Sequence, residues 1–146
     1  MAITLFLDTE FNGFGGKLIS FALVPDDHTK PEFYKELEMN EQLHPWVKEN
    51  VVPHLVLLPC THNNFQNALA EYLWNLHDDV TIIADWPEDI KFFCDSLITG
   101  PGMMINMFNH VTFQLELGLN YDSKVPHNAL HDARALKEAY MKRNAI

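Results

Sequence analysis

The sequence predicts an α/β fold: a mixed five-stranded sheet, three antiparallel strands followed by parallel ones, with helices on its faces. Three observations predict it. The first 37 residues hold three β-rich stretches separated by short turn-forming connections. Apolar residues recur at helical spacing in the later stretches. Short apolar runs alternate with those helices, giving the order β-β-β-α-β-α-β-α, which a mixed sheet with helices packed on it accommodates.

Residues Ala2 to Asp8 read as a buried strand, and Asn12, Gly13, Gly15 and Gly16 form a turn cluster after it. Lys17 to Val24 is a second strand, broken by Pro25-Asp26-Asp27. Glu32 to Leu37 alternates polar and apolar residues and is the third. From Glu38 to Cys60, three prolines leave room for only a short helix around Trp46 to Asn50, so this stretch reads as a connection packed over the core.

Phe65, Ala68, Leu69, Tyr72, Leu73 and Leu76 then mark an amphipathic helix from about Asn63 to Leu76. Val80 to Ala84 is short, β-branched and bounded by charges, as a central strand would be. Pro87 suits the first turn of a helix running to about Ile98, which Gly100-Pro101-Gly102 terminates. Met103 to Phe108 is expected as the fifth strand and Thr112 to Leu117 as a short helix. Asn128 to Arg143 is the last helix, with Ala129, Ala133, Leu136 and Tyr140 on one face.

A chain of 146 residues, 47% hydrophobic and 12% aromatic, is sized for a single domain with one substantial core. No apolar run approaches the roughly 20 residues needed to span a bilayer. A secretory leader, with its cationic start and apolar core, is not evident. Cys60 and Cys94 are too few for a disulfide framework or a cysteine-rich zinc site. The expectation is a cytoplasmic protein with reduced thiols. Nothing in the chain sets its oligomeric state, and a homodimer stays open.

The formal charge of -10 argues against a long electrostatic footprint on nucleic acid. It does not argue against phosphate binding through metal ions held by converging acids. Asp8 and Glu10 are such acids: two apart in an extended chain, they project from one face. Asp85 to Asp89 lies at a strand-to-helix turn and His127 to Asp132 at the start of the last helix. A cluster of oxygen donors of this kind favours Mg²⁺ or Mn²⁺ over zinc.

His127 and Asp132 are five residues apart, about 140° around a helix, so both cannot face one site from helical positions. His127 is therefore expected on the loop before the helix, where Pro126 favours an extended entry, with Asp132 on the helix itself. His131 lies four residues after His127, but with no third nitrogen or sulfur ligand nearby the pair does not suggest zinc; His131 reads as a solvent-facing helix residue. Asp85 reads as a helix cap or supporting group. Glu36, Glu38 and Glu41 read as a solvated acidic face.

Three motifs together resemble the DEDDh family of 3′-to-5′ exonucleases. The first is Asp8-Thr9-Glu10-Phe11. The second, Ala84-Asp85-Trp86-Pro87-Glu88-Asp89-Ile90-Lys91-Phe92-Phe93, has Ala84 and Asp85 where the family has His and Asn; its register and the Ile-x-Phe-Phe that follows favour Asp89 as the third acid. The third is His127-x4-Asp132, within HNALHDARAL. The motifs span residues 8 to 132, and the D-T-E-F-N-G opening is most similar to small stand-alone exoribonuclease-like proteins of bacteria and phages.

The resemblance implies a ribonuclease-H-like fold with helices on both faces of the sheet. It also implies that Asp8, Glu10, Asp89 and Asp132 hold two Mg²⁺ or Mn²⁺ ions while His127 deprotonates the attacking water. The implied substrate is the 3′ end of single-stranded RNA or DNA, RNA slightly favoured, and the product a nucleoside 5′-monophosphate. Phe11, Phe14 and Trp86 are candidates to stack on the terminal base, with core packing as the competing role for Phe11 and Trp86. The alternatives are a DNA-directed proofreading-like exonuclease and a catalytically silent nucleic-acid-binding module.

Overall fold

The computed structural model describes residues 2–145. Its centre is β1 (Ile3–Phe11), which pairs antiparallel with β2 (Leu18–Pro25) on one side. On the other side it pairs in parallel with β4 (Val80–Ala84). With β3 (Phe33–Glu36) and β7 (Val111–Leu115) at the edges, the order is β3-β2-β1-β4-β7. The expected mixed α/β sheet is therefore present, with its antiparallel half first in the chain.

Alternation along β1 separates two cores. Leu5 and Leu7 point to the face covered by α2 (His62–Leu76) and α3 (Pro87–Leu97), where they meet Phe65, Leu69, Leu73, Phe92 and Phe93. Phe6 points to the opposite face, against Ala129, Ala133 and Leu136 of α4 (Ala129–Arg143). Alternation continues to Asp8 and Glu10, which share the Phe6 face. Phe6, Phe21, Phe65 and Phe93 are fully buried. Each contributes about 2–3 kcal/mol through removal from water.

Each helix starts where local chemistry stops the preceding extended chain. Thr61 caps α2 by accepting the Asn64 N–H, and Asn128 caps α4 by accepting that of His131. Pro87 opens α3 directly after Trp86, whose backbone is extended. The connection after β3 holds α1 (Pro45–Asn50) and a 3-10 turn at Val52–His54; Val47 and Val51 pack on Ile19 of β2. This stretch covers the sheet as expected.

Three expectations change. β1 runs on through Phe11, so Asp8 and Glu10 lie within the strand. Met103 to Phe108 is not a strand of the main sheet: only Met103–Met104 (β6) is a strand, pairing with Ile98–Gly100 (β5) in a separate two-stranded sheet. The fifth strand of the main sheet is Val111–Leu115, where a helix was expected, and it pairs in parallel with β4. Val111-Thr112-Phe113 is β-branched and aromatic, and a free slot beside β4 decides the outcome for so short a segment. Among the described residues no helix is long and apolar enough to cross a membrane.

Candidate functional site

The carboxylates gather where β4 ends beside β1, which continues through Asp8 and Glu10 paired to β2. Phe6 is in register with Ile83, so two residues further along each parallel strand Asp8 and Asp85 come alongside. Asp89, in the first turn of α3, folds back over the same end. Thr9, on the opposite face of β1 from Asp8, donates its hydroxyl to Asp89 Oδ1 at 2.6 Å. Asp8, Asp85 and Asp89 thus each offer an oxygen, all within 4.8 Å of one another.

A second group lies beside the first. Asp132, in the first turn of α4, accepts the backbone N–H of His127 on Oδ2 at 3.1 Å. Glu10, His127 and Asp132 offer ligand atoms within 4.8 Å of one another. His127 lies on the loop before the helix, as the 140° argument requires. Its backbone is not extended, however, but left-handed at φ 69. The Asn128 cap and the bond to Asp132 bring the chain around so that both side chains meet Glu10.

Asp85 is expected as a helix cap or a supporting group, and the structure removes the first of these. The residue with cap geometry is Trp86, not Asp85, and no side chain caps α3. Asp85 instead joins Asp8 and Asp89, so the five carboxylates Asp8, Glu10, Asp85, Asp89 and Asp132 form two adjoining groups. Glu36 is a second correction: it is 2% exposed, not solvated. Its carboxylate accepts the N–H groups of Val56 and Leu57 and the hydroxyl of Tyr34. Glu41 likewise accepts from Asn12 and from the Lys17 backbone. His131 is half-buried.

Burial and mutual repulsion raise the affinity of this cluster for protons. Asp8 is held well above the usual carboxylate range, by loss of hydration first and then by the charges of Asp89, Glu10, Asp132 and Asp85. Glu10 is pushed up to about 8 by burial and by the charge and hydrogen bond of Asp132. Asp89 rises to about 7 through burial, opposed by the hydrogen bond from Thr9. Burial also raises Asp132 and Asp85, with a Tyr121 hydrogen bond restraining Asp85.

Among the described residues no lysine or arginine pairs with these carboxylates. The ion pairs of the described residues, Lys91–Asp95, Arg134–Glu32 and Arg143–Glu116, all lie elsewhere. Asp8 Oδ2 is buried and has no hydrogen-bond partner. An orphaned carboxylate oxygen among four other acids costs free energy in the protein alone, and a divalent cation removes that cost. The donors are carboxylate oxygens with one imidazole, so these groups could hold a metal ion.

A cleft of about 500 Å³ opens beside Glu10, between the β1–β2 hairpin and α1. Phe14 stands fully exposed at the hairpin tip, and Trp46 of α1 faces it across the cleft. The Trp46 ring meets the His127 ring edge-on, centroids 5.0 Å apart. Asn12 ties the walls together: its amide donates to Glu41 and the Gln42 carbonyl and accepts the His44 N–H. At Gly16 a Cβ would stand 1.8 Å from the Asn12 carbonyl oxygen, so only glycine permits the hairpin to close.

Phe11 lines the cleft and also packs on Phe92, centroids 4.9 Å apart, so it serves both wall and core. Trp86 is half-exposed, bonds Glu88 through its indole N–H, and lies outside the cleft lining. Sequence reasoning missed Trp46, Thr9 and Glu36. His44-Pro45-Trp46 carries the cap-and-proline signature of a helix start, but nothing local says that the helix borders Glu10. No protein-family model matches the chain, and neither does any curated protein.

Proposed function

We propose that the protein is a metal-dependent 3′-to-5′ exonuclease of ribonuclease-H-like architecture, releasing nucleoside 5′-monophosphates from single-stranded ends, RNA slightly favoured. The observation that carries this reading is Asp8 Oδ2, buried without a partner where the two carboxylate groups adjoin. Asp8, Glu10, Asp89 and Asp132 hold Mg²⁺ or Mn²⁺, and Asp85 joins them beside Asp8 and Asp89. Bound divalent ions supply the positive charge that offsets the acids, favours a water's ionisation and stabilises the phosphodiester as it is cleaved.

The protein's own groups do the positioning and the proton transfer. His127 is the general base: its ring borders Glu10 and Asp132 and meets Trp46, and Glu10 and Trp46 both line the cleft, so a nitrogen there can take the proton of an attacking water. Thr9 fixes Asp89, and the backbone N–H of His127 fixes Asp132, so two acids keep their orientation before substrate arrives. Phe11, Phe14 and Trp46 line a cleft of about 500 Å³, where they can stack on the terminal base. Stacking of this kind tolerates any base.

The test is incubation of 3′- and 5′-labelled single-stranded RNA and DNA with Mg²⁺, Mn²⁺ or EDTA. Stepwise shortening from the 3′ end in metal alone is the expected result. No cleavage of either polymer under any condition overturns the proposal.

A further inference from the structure

Glu36 is the buried acid that the proposed chemistry does not use. It lies at the end of the edge strand β3, 2% exposed, and no cation faces it among the ion pairs of the described residues. Its charge is met by dipoles: Val56 N–H at 2.9 and 3.0 Å, Leu57 N–H at 2.6 Å, and the Tyr34 hydroxyl. Burying a carboxylate is costly, and hydrophobic residues of similar volume often serve stability better. A buried charge with no cation partner therefore calls for a role that packing alone would not fill.

The bonds of Glu36 lead toward His127 by two routes. Through Tyr34, whose hydroxyl accepts from Asn128 Nδ2 at 3.3 Å, they reach the residue that caps α4. Asn128 Nδ2 also donates to the His54 carbonyl at 2.9 Å, joining the cap to the segment that Glu36 pins. That segment is continuous with the 3-10 turn and α1, and α1 presents Trp46 against the His127 ring. Val56 and Leu58 are 75% and 94% exposed. Leu55 packs on Ile19, Val47 and Val51, and the Cys60 backbone bonds those of Glu36 and Glu38; between these two ends apolar packing holds little of the strip, and the Glu36 carboxylate bonds its backbone.

We infer that Glu36 is a positioning residue: by anchoring the backbone at Val56 and Leu57 and, through Tyr34, the Asn128 cap, it sets where His127 stands against Glu10 and Asp132. The inference rests on the proposed function for its kinetic consequence only. The coupling from β3 to the start of α4 is a property of the fold. Glu36 touches neither carboxylate group and is not a catalytic residue.

Glu36→Gln keeps the shape and one acceptor, and Tyr34→Phe removes only the bridging hydroxyl. Amide hydrogen exchange on both variants is the primary measurement. Faster exchange at Val56 and Leu57 in Glu36→Gln, and at His127 and His131 in both variants, is expected, with the amides of α2 and α3 unchanged. Wild-type protection at His127 and His131 in both folded variants overturns the inference, whatever the activity. Using the p-nitrophenyl ester of thymidine 5′-monophosphate with Mn²⁺, kcat should fall about tenfold at unchanged KM. An inactive wild-type protein would count against the exonuclease proposal alone, since hydrogen exchange decides the coupling by itself.

Discussion

Thr9 and Asp89 are 80 residues apart in the chain and joined by a 2.6 Å hydrogen bond. The bond crosses from one face of β1 to the first turn of α3, and both partners are buried. Thr9→Val keeps the shape and removes the donor, which leaves a buried carboxylate less satisfied at about 1–3 kcal/mol. Mn²⁺ affinity should fall about tenfold, the usual effect of removing a group that orients a ligand. Isothermal titration decides the point, and wild-type affinity in the variant would remove Asp89 from the metal-holding set.

Asp8→Asn should separate stability from metal binding in opposite directions. At alkaline pH, where the cluster is ionised, the substitution takes one charge out of a group whose members repel one another, so the melting temperature in EDTA should rise by a few degrees. Metal binding should weaken by about 100-fold. A variant that melts lower than wild type in EDTA would show that the Asp8 charge is stabilised by something other than a cation.

The raised carboxylates also fix the sign of a pH dependence. Burial pushes Glu10 up to about 8 and Asp89 up to about 7 in the folded protein, against about 4 in the unfolded chain. Between those limits the metal-free folded state holds more protons, so stability falls as pH rises, and the loss continues through the folded value of Glu10 at about 8. Without metal, the melting temperature should drop on the order of 5–10 °C from pH 5 to pH 8.5. Mn²⁺ should reverse the drop at the alkaline end, and Glu10→Gln should flatten it. An equally steep slope in Glu10→Gln would contradict the assignment.

Phe14→Ala tests the cleft at no cost to the fold, because the ring is fully exposed. Its melting temperature should match wild type. KM for single-stranded RNA should rise about tenfold through loss of one stacking platform. Trp46→Ala should raise KM as well and also lower kcat, since that ring touches His127. Identical kinetics in both variants would place the nucleic acid elsewhere.

What the sequence disclosed follows the range of each physical signal. Alternation along ITLFLDTEF is local, and it correctly set Asp8 and Glu10 on one face. The 140° separation of His127 and Asp132 is also local, and it put His127 on the loop before α4. Asp85 depended on which strand lies beside β1 and in what register, a relationship across more than seventy residues that no window contains. Glu36 was misread for a similar reason. Its donors Val56 and Leu57 sit in an irregular stretch, so nothing nearby marked it as buried.

His127 holds its backbone at φ 69, where a side chain with a Cβ is strained by about 1–2 kcal/mol and glycine is not. The fold on its own terms would prefer a smaller occupant there. A library randomised at position 127 and sorted only for resistance to proteolysis should enrich glycine and asparagine. The same library sorted for phosphodiester turnover should return histidine. The gap between the two populations measures how much conformational ease the molecule gives up to keep an imidazole at that spot.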